Sequence, residues 1–154
     1  MPTKTSPTKA PPPKTSAECV FCQIAAGALP ADVILADARV VAFLDDRPVF
    51  KGHTLVVPRP HVATFAALSP EALSALFTAA QRVSGAVEAG LEADGTFVAM
   101  NDKVSQSVPH VHVHVVPRRR KDGLRGFFWP RVRYQDAAEQ SDYAARIRAA
   151  LADS

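Results

Sequence analysis

The sequence predicts an α+β fold, and three observations lead to that class. Short runs rich in valine, among them residues 40–44 and 53–57, have the composition of strands. Residues 69–89 repeat apolar side chains at helical spacing over one long segment. Near the end of the chain, the alanine-rich residues 136–151 favour a final helix. We therefore expect a strand-rich chain crossed by one long helix.

Length and charge define the class of protein. With 154 residues and 47% apolar content, the chain is long enough for one domain with a core. We expect a disordered tail over residues 1–17, which hold five prolines and three lysines but no acid, and one domain over residues 18–154. Removing these lysines from the 18 basic residues leaves 15 against 15 acidic ones. We expect no membrane span, no secretory signal and a cytoplasmic location.

The first half of the chain predicts one short helix and three strands. The short helix, residues 18–26, has apolar side chains on one face and stops at Gly27. Two of the strands flank a short turn and form a hairpin, and the third ends at a proline. The predicted strands are residues 33–35, 40–44 and 53–57.

The second half begins with the long helix. Ser69 followed by Pro70 predicts its start, because serine is a good N-cap and proline fits the first helical position. We expect this helix to run to Ala89 with Gly90 as its cap. A fourth strand, residues 96–100, precedes the region that carries the chemistry.

That region, residues 110–117, alternates three histidines with valines and ends the run at a proline. On a strand, alternate side chains point to opposite faces, so His110, His112 and His114 line one face about 7 Å apart. The outer two are then about 13 Å apart, too far for one metal to bind all three. Because imidazole acts as nucleophile, acid or base near neutral pH, we expect at least one to be catalytic.

Cys19 and Cys22 have the spacing of a metal or redox pair. A thioredoxin-like pair follows a strand, and none is predicted before these cysteines, so metal binding is favoured. A closed structural zinc site needs four ligands, and histidines would supply the other two. The residues alone leave the choice open among His53, His61 and the histidines of residues 110–114.

The pattern His-x-His-x-His followed by apolar residues, with Pro117 and Arg118 after it, resembles the motif of the histidine triad (HIT) family. The resemblance runs from Glu18 to Arg133. It implies a HIT-like fold, an antiparallel sheet with one long helix and a C-terminal helix. It also implies a homodimer paired through the long helix and the fourth strand, with Trp129 in the segment that approaches the partner's site.

The resemblance also implies a metal and a mechanism. Zinc-bearing bacterial members look like this chain, and their structural Zn²⁺ site carries over to Cys19, Cys22, His61 and His110. His112 would attack the α-phosphorus of a nucleotide to form a covalent nucleotidyl-histidine, which water hydrolyses. His114 would donate to a phosphoryl oxygen and His53 would carry a proton, with Ser107 and Gln106 as neutral donors. No metal is expected at the phosphate.

A nucleotide pocket completes the resemblance. Asp45 would hold the ribose, Asn101 would reach the phosphate side, and an apolar slot for the base would be formed by Phe21, Ile24 and Phe43. The predicted activity is hydrolysis or transfer of nucleoside monophosphate from phosphoramidates or dinucleoside polyphosphates, with purine nucleotides such as AMP derivatives as ligands.

Three other functions remain open. The first is a nucleotide-binding regulatory or scaffold protein with incidental turnover. The second is a zinc hydrolase whose catalytic metal is held by His110 and His112. The third and weakest is a nucleic-acid or membrane arm formed by the basic tail.

Overall fold

The computed structural model describes residues 16–124 and 132–152. The chain divides into two units, Met1–Asp122 and Gly123–Ser154. The elements of the first unit are α1 (Val20–Ala25), β1 (Val33–Ala36), β2 (Val40–Leu44), β3 (Thr54–Pro58), α2 (Pro70–Leu91), β4 (Gly95–Ala99) and β5 (Val113–Arg118). Their strands form one antiparallel sheet in the order β1-β2-β3-β5-β4. The predicted α+β class is confirmed.

The second unit contains α3 (Ala137–Ala152), which agrees with the predicted final helix. Tyr143 on this helix contacts Tyr134, with ring centroids 5.7 Å apart. The predicted tail lies outside the described residues up to position 15, and so does Trp129. None of the helices in the described parts of the chain has the length and apolar character that a membrane crossing requires.

Side chains alternate between the two faces of the sheet, as a period of two dictates. On one face, α2 packs against a core that contains Val56, Val113 and Val115. On the other face, Phe43 and Leu55 pack beneath α1. The valines of the histidine run thus face the α2 core as predicted, and the histidines face α1.

The long helix begins as the sequence predicts but ends later. The Ser69 hydroxyl accepts a hydrogen bond from the Ala72 N–H at 3.1 Å. The prediction that Gly90 caps the helix is wrong, because Glu92 takes the left-handed conformation (φ 52°) two residues further on. The Arg119 guanidinium donates to the Glu92 carbonyl at 2.6 Å and helps to satisfy this later end.

The histidine strand also begins later than predicted. The hydrogen-bonded ladder of β5 starts at Val113, whereas Val111 donates its N–H to the Val62 carbonyl at 2.7 Å, outside the sheet. Pro117 does not end the strand but lies within it. The pairing of β5 with β3 stops at Val115, and a position paired on one side only tolerates the missing N–H of proline.

Candidate active site and metal centre

The histidine-bearing segment lies between the sheet and α1. The His110 and His112 side chains are buried, with 0% and 2% exposure. Phe21 of α1 packs edge-on against both rings, with centroids 6.0 Å from His110 and 5.1 Å from His112. Because Cys19 caps α1 and Cys22 lies within it, this helix brings two thiols and an aromatic wall to the same face.

Four side chains, Cys19, Cys22, His61 and His110, converge here and form what we call the cysteine–histidine cluster. The His110 Nδ1 is 3.4 Å from the Cys19 Sγ and 3.5 Å from the Cys22 Sγ, and the His61 Nδ1 is 3.3 Å from the Cys22 Sγ. The His110 Nε2–H donates to the Pro58 carbonyl at 2.8 Å. The Nδ1 lone pair of His110 is therefore left to face the thiols.

The cluster fits a tetrahedral zinc ion. Zinc bonds of about 2.3 Å to sulfur and about 2.0 Å to nitrogen place the two donors about 3.5 Å apart at a tetrahedral angle. The observed sulfur–nitrogen distances are 3.3 to 3.5 Å. Burial and the neighbouring Cys19 raise the pKa of Cys22 to about 11, so this thiol keeps its proton at neutral pH until a cation displaces it.

The tautomer of His112 follows from its hydrogen bond. Its Nδ1 is 2.7 Å from the His110 carbonyl oxygen, which can only accept, so Nδ1 carries the proton. The Nε2 of neutral His112 then has a free lone pair. Burial lowers the pKa of His112, which favours this neutral form. The ring of His110 thus belongs to the cysteine–histidine cluster, and its backbone carbonyl accepts from His112.

A second chain of hydrogen bonds fixes His53 and His114. The Val49 N–H donates to the His53 Nδ1 at 3.1 Å, so the proton of His53 lies on Nε2. That Nε2–H donates to the His114 Nδ1 at 2.9 Å, which leaves the His114 proton on Nε2. Although the Asp45 carboxylate is 3.7 Å from the His53 Nδ1, that nitrogen has no proton to share, so neutral His53 forms no ion pair.

Burial keeps both of these rings neutral. It lowers the pKa of His114 to about 4, with further lowering by His112 and His53. Burial also lowers the pKa of His53, although the negative charge of Asp45 opposes the shift. At pH 7 the two imidazoles are therefore uncharged proton donors and acceptors.

A cleft of about 730 Å³ opens in front of His112 and His114. Its volume is within the range of sites that bind small molecules and cofactors. Its lining is mostly apolar and includes the Asp45 carboxylate, whose Oδ1 accepts the Arg47 N–H at 2.9 Å. The predicted residues that line it are Phe21, Ile24, Phe43, Asp45, Ser107, His112 and His114.

Two predicted nucleotide-binding residues lie elsewhere. The Asn101 side-chain N–H donates to the Ser105 carbonyl at 3.2 Å. The Gln106 amide donates to a backbone carbonyl at 2.8 Å and accepts the Lys103 N–H at 3.0 Å. Both side chains are thus engaged with backbone groups, and neither lines the cleft. Their roles at the phosphate stay predictions.

Sequence reasoning missed several groups that shape the site. The Val49 N–H and the Pro58 carbonyl act through the backbone, and nothing in a residue's identity marks such a role. The Arg59 guanidinium donates to the Ala25 carbonyl at 2.6 Å and secures the end of α1. Leu29 lines the cleft from the loop after α1, where no periodic pattern could indicate it.

Comparisons with known proteins agree with this fold. The HIT domain model matches residues 26–121. An uncharacterized HIT-like protein of Mycobacterium tuberculosis is 44% identical over 108 residues, which are 69% of this chain and 75% of that protein. The adenosine 5'-monophosphoramidase of Schizosaccharomyces pombe is 34% identical over 113 residues, 73% of this chain and 83% of that protein.

A solved structure extends the comparison. The crystal structure of a Zn-bound histidine triad family protein from Mycobacterium smegmatis matches with a TM-score of 0.68 and 37% identity, over 90% of this chain and 98% of that one. The fold and the site define an α+β protein with a row of histidines beside a ligand-sized cleft. The chain belongs to the HIT family.

Proposed function

We propose that this protein hydrolyses or transfers nucleoside monophosphate groups through a covalent nucleotidyl intermediate on His112. One observation carries the proposal. The His112 Nδ1 is committed to the His110 carbonyl at 2.7 Å, so a neutral ring that lines the cleft keeps its Nε2 lone pair for attack. A neutral imidazole in a fixed tautomer is a competent nucleophile at pH 7.

The other histidines supply the protons. In the proposed first step, the His112 Nε2 bonds to the α-phosphorus while the bond from phosphorus to the leaving group breaks. The His114 Nε2–H donates to a phosphoryl oxygen, and the leaving group takes up a proton from this histidine network, which His53 extends. Water then attacks the phosphorus, its proton returns to the histidine network, and the bond from phosphorus to His112 breaks to release the nucleoside monophosphate and the free imidazole. Ser107 adds a neutral donor beside the developing charge.

The cleft suits a purine nucleotide. Its apolar slot includes Phe21, Ile24 and Phe43, and Asp45 has a carboxylate that can accept from ribose hydroxyls. The phosphoramidase of S. pombe makes adenosine phosphoramidates the first substrates to try, and dinucleoside polyphosphates are the second class.

The cofactor in this proposal is a structural zinc ion in the cysteine–histidine cluster, where it would stabilise the fold and supply no chemistry at the phosphate. The Zn-bound relative and the sulfur–nitrogen distances support it. The partners of the two rings argue against one catalytic metal held by both His110 and His112. The His110 Nδ1 faces the thiols, and the His112 Nδ1 donates to a carbonyl.

We also infer a homodimer that pairs through α2 and β4. Leu73 and Phe77 on α2 are 37% and 39% exposed, and β4 is an edge strand on which Val98 is 43% exposed. Exposed apolar side chains on a helix and on an edge strand form a surface that a second copy would cover. Sedimentation equilibrium should give twice the chain mass of 16.5 kDa, and a single-chain mass would contradict the dimer.

Steady-state turnover of adenosine 5'-phosphoramidate and of a dinucleoside tetraphosphate tests the activity. We expect release of AMP by the wild type from at least one of them and a large loss with Ser107→Ala or His114→Ala. Tight nucleotide binding without any turnover would instead favour the regulatory or scaffold protein.

A further inference from the structure

The segment that carries the nucleophile lies outside the hydrogen-bonded ladder of the sheet. The pairing of β5 starts at Val113, opposite Val56, and both His110 and His112 precede it. The His110 carbonyl nevertheless has to stay in place, because it accepts the His112 Nδ1–H and so fixes the tautomer. Groups other than the ladder must hold this carbonyl.

The ring of His110 supplies one such hold. It is 0% exposed, its Nε2–H donates to the Pro58 carbonyl, and its Nδ1 faces the thiols of Cys19 and Cys22. The next residue along the chain is tied by the N–H of Val111 to the loop that carries His61. The backbone at position 110 is therefore held by a turn to the Val108 carbonyl and, through the ring of His110, by both Pro58 and the cysteine–histidine cluster.

Phe21 supplies a second hold. It lies between the two cysteines in sequence, so whatever fixes their sulfur atoms also fixes this ring against the sheet. Its edge packs on His112 at 5.1 Å and on His110 at 6.0 Å. Movement of α1 would thus change the packing around the nucleophile itself.

We propose that the cysteine–histidine cluster, loaded with its metal, positions His112 as well as stabilising the fold. The inference rests on the proposed function. When Cys19, Cys22, His61 and His110 are joined as ligands, the His110 carbonyl and Phe21 are held, and His112 stays in one tautomer. Without that link, the carbonyl moves, His112 exchanges between tautomers, and the chemical step slows more than nucleotide binding weakens.

The test compares two destabilising variants on opposite faces of the sheet. Cys22→Ala breaks the cluster, and Val83→Ala removes two methyl groups from the α2 core, where Val83 is 1% exposed. In single-turnover experiments with adenosine 5'-phosphoramidate, Cys22→Ala should slow the chemical step about 10- to 100-fold, as is typical when a group that orients a catalytic residue is lost. AMP affinity should change far less, and Val83→Ala should keep the wild-type rate.

A spectroscopic readout separates positioning from simple destabilisation. Nitrogen-15 spectra of the imidazoles should show His112 with its proton on Nδ1 in the zinc-loaded wild type and in Val83→Ala, and a mixture of tautomers in Cys22→Ala. If Cys22→Ala does not fold, chelation of the wild type and return of zinc give the same comparison, and the single tautomer should reappear with the metal.

Two results would overturn the proposal. One is an equal loss of rate in Cys22→Ala and Val83→Ala at matched melting temperature. The other is a His112 tautomer that is unchanged when the cluster is broken or emptied. If the zinc-loaded wild type has no turnover at all, the proposed function fails, and the tautomer spectra alone decide whether the cluster positions His112.

Discussion

Both faces of the sheet contain side chains that are almost completely buried, but the chemistry of those side chains differs. Against α2, side chains such as Leu76 and Val113 are 0% exposed and entirely apolar. Against α1, His110 and His112 are buried just as deeply, and each of their ring nitrogens that donates has a named acceptor. A buried polar group costs free energy unless it is paired. The apolar contacts on the α2 face therefore stabilise the folded state. The buried histidines on the α1 face cost stability, and they hold reactive groups in position.

The largest expected effect on stability is on the apolar face. Leu76→Ala leaves a cavity between α2 and the sheet, and we expect a loss of about 2–5 kcal/mol in the free energy of unfolding. Urea denaturation measures it. Turnover at a temperature where the variant is folded should stay at the wild-type level, and a large loss of activity in the folded variant would show that the two faces are not independent.

On the α1 face, metal removal should have the next largest effect. A ligand that binds only the folded state at 100 times its dissociation constant adds about 2.7 kcal/mol. We expect zinc at that concentration to stabilise the folded wild type by about 2.7 kcal/mol, which a rise in its melting temperature would show. Cys19→Ala is the control, since its melting temperature should no longer respond to zinc. If zinc leaves the melting temperature of the wild type unchanged, the cysteine–histidine cluster does not bind a structural zinc ion.

Acid should weaken the histidine network and leave the apolar face unaffected. The pKa of His114 is lowered from 6.5 to about 4, mainly by burial. Between these two pH values the unfolded chain binds a proton that the folded chain excludes, so stability that is present above pH 6.5 is lost as the pH falls towards 4.

Urea midpoints from pH 7 to pH 4.5 test this for the wild type and for His114→Gln. The variant lacks the titrating ring, so its midpoint should fall less over the same range, while acid effects on zinc binding are common to both proteins. An equal fall in the two would contradict the assignment.

The smallest expected effect is at the start of α2. Ser69→Ala removes the acceptor of the Ala72 N–H and should cost about 1 kcal/mol of unfolding free energy. Ser74→Ala, at an exposed position in the same helix, should be close to neutral or slightly stabilising. The difference between the two urea midpoints measures the cap, and no difference would mean that the hydroxyl has no such role.

Local patterns were sufficient for most of the fold. The continuous apolar run in residues 40–44 and the Ser69–Pro70 start predict their elements because each depends on neighbours in sequence. The end of α2 was missed because its capping involves Arg119, which is distant in sequence. The start of β5 was missed for the same reason, since the ladder begins where Val56 is available as a partner.

The candidate site likewise has features that the sequence predicts and features that it does not. The spacing of the histidines predicts that they share a face, and the family resemblance predicts that Cys19, Cys22, His61 and His110 belong together, as the structure has them. The tautomer of His53 could not be predicted, because a backbone group that any residue would supply determines it. Asn101 was expected at the phosphate, but its amide is engaged in its own loop.

The central claim is that His112 is the nucleophile, and intact-protein mass spectrometry tests it most directly. Wild type and His112→Ala would be mixed with adenosine 5'-phosphoramidate and quenched within the first turnover without acid, because phosphorus–nitrogen bonds are labile in acid. We predict a mass increase of one adenosine monophosphate in the wild type and none in the variant, whose turnover should fall on the order of 10³-fold or more. An adduct of the same size on His112→Ala, or wild-type turnover by that variant, would contradict the claim.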